Sequence, residues 1–339
     1  MPKRQGRQTL WLTNHPIISA SAGVVGKKEG EGPLGKEFDK VFDDAHLGKD
    51  SWEKAESAIH RSAVDLALHK ARKNPDEVDL LLAGDLLNQC IGTTFGVMNF
   101  GIPFAGLYGA CSTMALSLAM AAVLVDSGAV GCAVASTSSH FCSAEKQFRL
   151  PLEYGGQRPP QAQWTATAAG AAVLETGKEG VEVESVTFGR ITDYGVTDAN
   201  NMGAAMAPAA ANTIADRLVQ TGESPDDFNL ILTGDLGAVG SKLLIELLDK
   251  EHGINIKKQH ADCGTMLFDL DTQDVNSGGS GCGCSGAVVC TNIVRRLRQG
   301  ELGRVLFVGT GALLSAVSAR QGESIPCIAH AVVLKTQAK

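Results

Sequence analysis

Apolar and polar residues alternate along this chain in two rhythms, and the order of those rhythms is repeated. Ser51 to Lys73 is amphipathic at the helical period, and a Pro75-Asp76 boundary stops it and starts a new element. A continuous apolar run follows, Val78 to Ala83, closed by Gly84-Asp85. The same grammar returns as the run Leu230 to Thr233, closed by Gly234-Asp235. Runs that are apolar at every position predict strands buried on both faces, as in parallel sheets covered by helices. Next in each case comes a cysteine-bearing turn that opens a helix, GACSTMALSLAMAAVLVDSG at 109–128 and GCGCSGAVVCTNIVRRLRQG at 281–300. Each ends near a glycine, which suits a left-handed cap. Further strands are predicted at Val130 to Ala135 and Arg304 to Gly309.

The repetition holds residue by residue. PDEVDLLLAGDLL at 75–87 and PDDFNLILTGDLG at 225–237 share seven of 13 positions, and AGAAVLET at 169–176 and AHAVVLKT at 329–336 share five of eight. The offsets, 150 and 160 residues, run in the same chain order. Two in-register matches predict two related halves, 1–178 and 179–339. Strand, helix, strand order with glycine-rich turns predicts stacked α/β layers, the halves related by a pseudo-twofold axis. Residues 138–164 break the pattern. Polar, proline-containing and with little periodicity, they read as an insertion in the first half, of the kind that forms a lid or a partner surface.

Composition narrows the function classes. With 339 residues and 44% hydrophobic content the chain builds a large core, which excludes a disordered protein. Its net charge of −7, with no concentrated basic stripe, argues against nucleic acid as a partner. The longest apolar run, Met114 to Val125, is shorter than the ~20 residues of a membrane span and predicts a buried helix instead. Met1 to Leu12 carries Lys3, Arg4 and Arg7 but no apolar core, so no secretory leader is expected and a reducing interior is. Nine cysteines are present, and Cys282 and Cys284 share one loop without a second pair at zinc-like spacing, so no metal is expected.

Cys111, in Gly109-Ala110-Cys111-Ser112-Thr113, is placed by this pattern at the N-terminus of a buried helix. Unsatisfied N–H groups and the helix dipole there favour negative charge. Three readings remain open from the residues: a nucleophile whose thiol pKa is lowered, the lining of an anion site, and a packed inert thiol.

Related halves and a Gly-Ala-Cys-Ser turn resemble the thiolase and ketoacyl-synthase superfamily over nearly the whole chain. Longer strings are similar to the stage V sporulation protein AD family: AGDLLNQ (83–89), GACSTM (109–114), EKQFRLPLEYGGQRP (145–159), MGAAMAPAAA (202–211), GGSGCGCSG (278–286) and ESIPCIAHAVV (323–333). The resemblance implies a five-layer αβαβα fold. It also implies binding of dipicolinate (pyridine-2,6-dicarboxylate) within the SpoVA complex, which takes the compound up in sporulation and releases it in germination. It further implies SpoVA membrane subunits as partners, a place on the cytoplasmic face of the spore inner membrane, and a possible homodimer. With no span or lipidation signal in the sequence, membrane association would run through those partners.

Thiolase-type chemistry carries over only in part. Cys111 matches the nucleophile, and Cys327, in Pro326-Cys327-Ile328-Ala329-His330, is a counterpart of the second cysteine. The family's second-half donors are missing, because Gly278 to Ser285 contains no imidazole or amide and Gly234-Asp235-Leu236 stands where a histidine is expected. His330 is the one imidazole expected near the site. Losing one oxyanion donor costs ~10²-fold in rate, so loss of both points to a retired site used for ligand binding. The rival is an acyl-CoA thioester acyltransferase or condensing enzyme, with Cys111 as nucleophile and His330 as acid/base. A pure scaffold is the third alternative. For dipicolinate the candidate ligand residues are Asp85, Cys111, Ser112, His140, Arg149 and His330, with Lys146 and Arg158 also able to meet the second carboxylate. The plain alternative for those cations is a solvated loop face. Asp85 meets an accompanying calcium ion or caps a neighbouring turn, and its pseudo-symmetric counterpart Asp235 makes the capping role as good a reading.

Overall fold

The computed structural model describes residues 1–148 and 158–337. Strand β1 (Pro16–Gly26) opens the first half. Helix α1 (Trp52–Ala71) starts where the Ser51 side chain accepts from Lys54 N and stops at Arg72, in the left-handed region. Then come β2 (Leu80–Gly84), α2 (Ile91–Val97), β3 (Phe104–Gly106), α3 (Thr113–Ser127), β4 (Cys132–Ser139), α4 (Phe141–Phe148) and β5 (Ala168–Thr176). The second half runs β6 (Val181–Thr187), α5 (Met202–Thr221), β7 (Leu230–Thr233), α6 (Gly237–His252), β8 (His260–Asp262), α7 (Cys282–Val288), β9 (Arg304–Ala312) and β10 (Cys327–Thr336). Past Val288, α7 passes through a π-helical turn, Val289–Ile293, into Val294–Arg298.

Both halves use one strand order. The first reads β3-β2-β4-β5-β1 and the second β8-β7-β9-β10-β6, in each case two parallel pairings followed by two antiparallel ones. The predicted repeats fall on β2 with β7 and on β5 with β10. The sheets join where Val181 and Glu182 of β6 pair with Ile18 and Ile17 of β1. The N-terminal strand Thr9–Trp11 crosses over to pair with β6.

Strand parity builds the layers. In β2, Leu81 and Ala83 pack against Ile59, Ala63 and Val64 of α1, while Leu82 turns inward toward Met114 and Leu118 of α3. In β9, Leu306 and Val308 pack outward against α5, while Val305 and Phe307 turn inward. Helices α3 and α7 lie between the sheets, which gives the five-layer αβαβα thiolase-like arrangement. The apolar run at Met114 to Val125 is therefore a central-layer helix.

That central layer is tight at glycine. A Cβ on Gly170 of β5 would sit 2.2 Å from Gly286 O of α7, and one on Gly283 would sit 2.2 Å from Ala168 O. The 138–164 interval, expected to lack periodic structure, contains α4 and a short strand, Trp164–Thr165, paired with Gly279–Ser280. Helix α4 is only eight residues long, and its one periodic face, Phe141, Ala144 and Phe148, is too brief a signal to stand out in a polar stretch.

Candidate functional site

Ala110 adopts φ +50°, a left-handed conformation that costs an L-residue about 1 kcal/mol or more. It turns Cys111 out of the chain path just before α3. The hydroxyls that follow are turned inward: Ser112 Oγ donates to Gly109 O at 2.6 Å and Thr113 Oγ1 to Ala110 O at 2.6 Å. Cys111 faces a narrow pocket with about 60 Å³ for the centres of water-sized molecules. Its wall is mainly apolar, from Leu86, Ala144, Phe148, Met202, Met206 and Leu314, with Tyr108, Glu145, Thr165 and Ser280 as polar members.

Asp235 reaches Cys111 from the second half. Its fully buried carboxyl accepts from Thr310 Oγ1 at 2.7 Å, Gly281 N at 2.8 Å and Ser280 Oγ at 3.2 Å, and it lies close enough to the Cys111 thiol for its charge to be felt there. Burial first, and then the negative Asp235, push the thiol pKa well above the ordinary 9.0. The lowered pKa considered for a nucleophile is thus reversed: the helix terminus is outweighed by loss of solvent and a neighbouring carboxylate. Burial also raises Asp235, against the hydrogen bonds from Thr310, Gly281 and Ser280 that hold it down.

Other candidates lie elsewhere. Ser112 is behind the turn and is no part of the pocket wall. Asp85 takes the capping alternative, accepting from Leu87 N, Thr93 N and Thr93 Oγ1 at 2.6–2.7 Å, so its oxygens are filled from within the chain. His140 does not line the pocket. It bonds Ala45 O through Nε2 and accepts from Cys142 N at Nδ1, in a separate cleft with Lys28, Glu29 and Trp164. Cys327 is buried in the outer core with its thiol on Ile325 O, and burial pushes its pKa up to about 12. His330 accepts from Gly189 N at 3.3 Å and stands edge-on to Phe188, and burial lowers its pKa to about 4. The expectation that it approaches Cys111 fails: its ring is held against Phe188 and Gly189, and the pocket wall does not include it. Lys146 pairs with Glu53 outside the pocket, while Arg158 does not line it: it pairs with the wall residue Glu145 at 3.0 Å and lies over Phe141 and Trp164 of the neighbouring cleft. Arg149 lies outside the described residues.

Asp235 is the member that sequence reasoning left as a turn cap. Its signal was its place directly after β7, where the superfamily's histidine was expected. Gln163, which donates to Asp235 O and Gly279 O at 2.7 Å, carries no such signal.

The neighbouring cleft supplies a pH test. Glu29 is buried there, accepts from Thr167 N, and has its pKa raised from 4.5 to about 7 by desolvation. Folded protein therefore holds a proton through that window which the unfolded chain has released, so this group's contribution falls as pH rises from 4.5 to 7. Glu29→Gln removes the slope. Relative to wild type it should gain on the order of 3 kcal/mol between about pH 5 and about pH 8, measured by denaturant unfolding. Parallel wild-type and variant profiles would refute the assignment.

Comparison with known proteins gives a family and a fold. A family model described as stage V sporulation protein AD (SpoVAD) matches residues 6–335. Stage V sporulation protein AD of Bacillus subtilis (strain 168) is 46% identical over 334 residues, covering 98% of each chain. Among solved structures, OleA of Xanthomonas campestris is similar at a TM-score of 0.59 and 13% identity, over 97% of this chain and 100% of that one. The 3-oxoacyl-[acyl-carrier-protein] synthase III of Aquifex aeolicus VF5 gives 0.56 and 13%, over 94% and 99%. At such identities these likenesses speak to the fold alone.

Proposed function

The chain belongs to the stage V sporulation protein AD family, and on that premise we propose that it is a dipicolinate-binding subunit of the SpoVA transport complex, without catalytic turnover. The observation that carries this reading is the Cys111–Asp235 contact. Acyl transfer needs a thiolate, and here the thiol faces a narrow, mainly apolar pocket beside a carboxylate that opposes its ionisation. No imidazole lines the pocket among the described residues. A retained pocket with a disabled nucleophile supports binding over bond making.

Dipicolinate is flat, aromatic and doubly negative. The apolar wall suits its ring, and Met202 and Met206 can re-pack to widen a pocket of this size. The positive end of α3 favours its carboxylates, with Arg158, paired to the wall residue Glu145, as the cation within reach of that wall. The same proposal places the protein on the cytoplasmic face of the spore inner membrane, held by partner subunits. The unpaired edge of β3, with Phe95, Met98, Phe104 and Tyr108 exposed around it, supports a homodimer.

Calorimetric titration with dipicolinate is the test. Saturable binding is expected for the wild type, and its loss in Cys111→Phe, which fills the pocket. No heat from a folded wild type would sink the proposal. A stoichiometric mass increase on Cys111 after incubation with an acyl-CoA would replace it with acyl transfer, the chemistry of the condensing enzymes that share the fold.

A further inference from the structure

Beneath the pocket wall lies a buried polar chain that the site does not use. Glu56 of α1 is 1% exposed, and its Oε2 is 2.5 Å from Ser143 Oγ on α4. Ser143 Oγ also lies 3.0 Å from His140 O. A serine hydroxyl has one proton, so it cannot donate to both acceptors. If Glu56 is a neutral acid, its O–H donates to Ser143 Oγ and the serine passes its own proton to His140 O, and every bond is made. Helix α4 carries Ala144, Glu145 and Phe148 of the pocket wall, so this relay fastens that wall to α1.

We propose that Glu56 is a positioning residue that, as a neutral carboxylic acid, clamps helix α4 and with it one wall of the Cys111 pocket. The ligand part of this inference rests on the dipicolinate reading, while the clamp itself does not. Acidic neighbours reinforce the neutral form, and the cation of α4, Lys146, is paired with Glu53. Asp85 faces Glu56 from the end of β2, Glu53 lies one turn earlier on α1 with Lys146 of α4 and His140 near it, and the Cys282 thiol approaches from α7. His60 contributes no positive charge, since burial holds its pKa at about 3 and its ring nitrogens bond Ser136 and Ser138 at 2.9 Å. Ser138 Oγ completes the shell at 3.4 Å from Glu56 Oε1. Burial, with Asp85 adding to it, raises the Glu56 pKa well above the ordinary 4.5.

Hydrogen exchange of residues 141–148 in the full chain, followed upward from neutral pH to the alkaline limit of the native state and expressed as protection factors, tests the clamp without any ligand. Wild type should lose protection by about tenfold or more as Glu56 ionises. Glu56→Gln, whose amide N–H also donates to Ser143 Oγ, should keep its protection across the range. Ser143→Ala should match high-pH wild type already at neutral pH. Dipicolinate affinity should follow the same three patterns, with Glu56→Gln rescuing the high-pH loss. Superimposable wild-type and Glu56→Gln profiles, or full protection in Ser143→Ala, would overturn the clamp. If exchange behaves as expected but dipicolinate does not bind any of the three proteins, the clamp stands and the ligand reading falls.

Discussion

Asp235→Ala is expected to lower folding stability by about 3 kcal/mol, because it strands Gly281 N–H and the Thr310 hydroxyl in a buried space without an acceptor. Asp235→Asn separates charge from hydrogen bonding. Its carbonyl still accepts from Gly281 N and its amide still meets Thr310 Oγ1, so it should fold nearly as well. Removing the negative neighbour lets the Cys111 pKa fall, although burial, the larger cause, remains. More thiolate at neutral pH should speed alkylation of Cys111 by iodoacetamide about tenfold. Peptide mapping distinguishes Cys111 from the half-buried Cys142 and the seven buried cysteines. An Asp235→Asn protein alkylated no faster than wild type would mean that the carboxylate does not restrain the thiol.

Gly170→Ala should be worse than any pocket substitution. The added methyl would stand 2.2 Å from Gly286 O and 2.3 Å from Gly286 C, both backbone atoms of a helix held between two sheets. Neither strand nor helix can yield without displacing the central layer, so the cost should exceed about 3 kcal/mol, with loss of soluble expression. Gly300→Ala is the control, since nothing lies within 4 Å of its Cβ and only its φ of +75° opposes the change. That should cost about 1 kcal/mol. A Gly170→Ala protein with the wild-type denaturation midpoint would contradict the packing described.

Much of the fold was legible because the chain states it twice. The uninterrupted apolar runs at β2 and β7 required burial on both faces, and the sheets deliver it with helices on each side. The predicted bounds Ser51 and Lys73, set by the cap and the Pro75 boundary, bracket α1 to within two residues. What the sequence concealed is geometry set by the encounter of the halves. Cys111 was visible as a helix-terminal thiol, but whether its charge is favoured depends on Asp235, 124 positions later in the chain. His330 was drawn to the site by chemical type, whereas its contacts with Gly189 and Phe188, a segment the sequence did not single out, decide where its ring lies. Asp85 and Asp235 look equivalent in sequence, yet one closes a turn on Thr93 and the other holds a thiol.

The central position of α7 bears on how the chain is made. The first sheet is complete once β5 has been synthesised at Thr176, but its inner surface is covered in part by Cys284, Ala287 and Val288. Those residues, and the rest of α7 to Arg298, emerge about 120 residues later, roughly 6–24 s at ribosomal speeds. During that interval the nascent first half can pair its strands but cannot bury Ala172 and Leu174 against their final neighbours. Cotranslational folding of this protein therefore has an obligatory waiting stage, in which a chaperone has an apolar surface to hold until the second cysteine-bearing helix arrives.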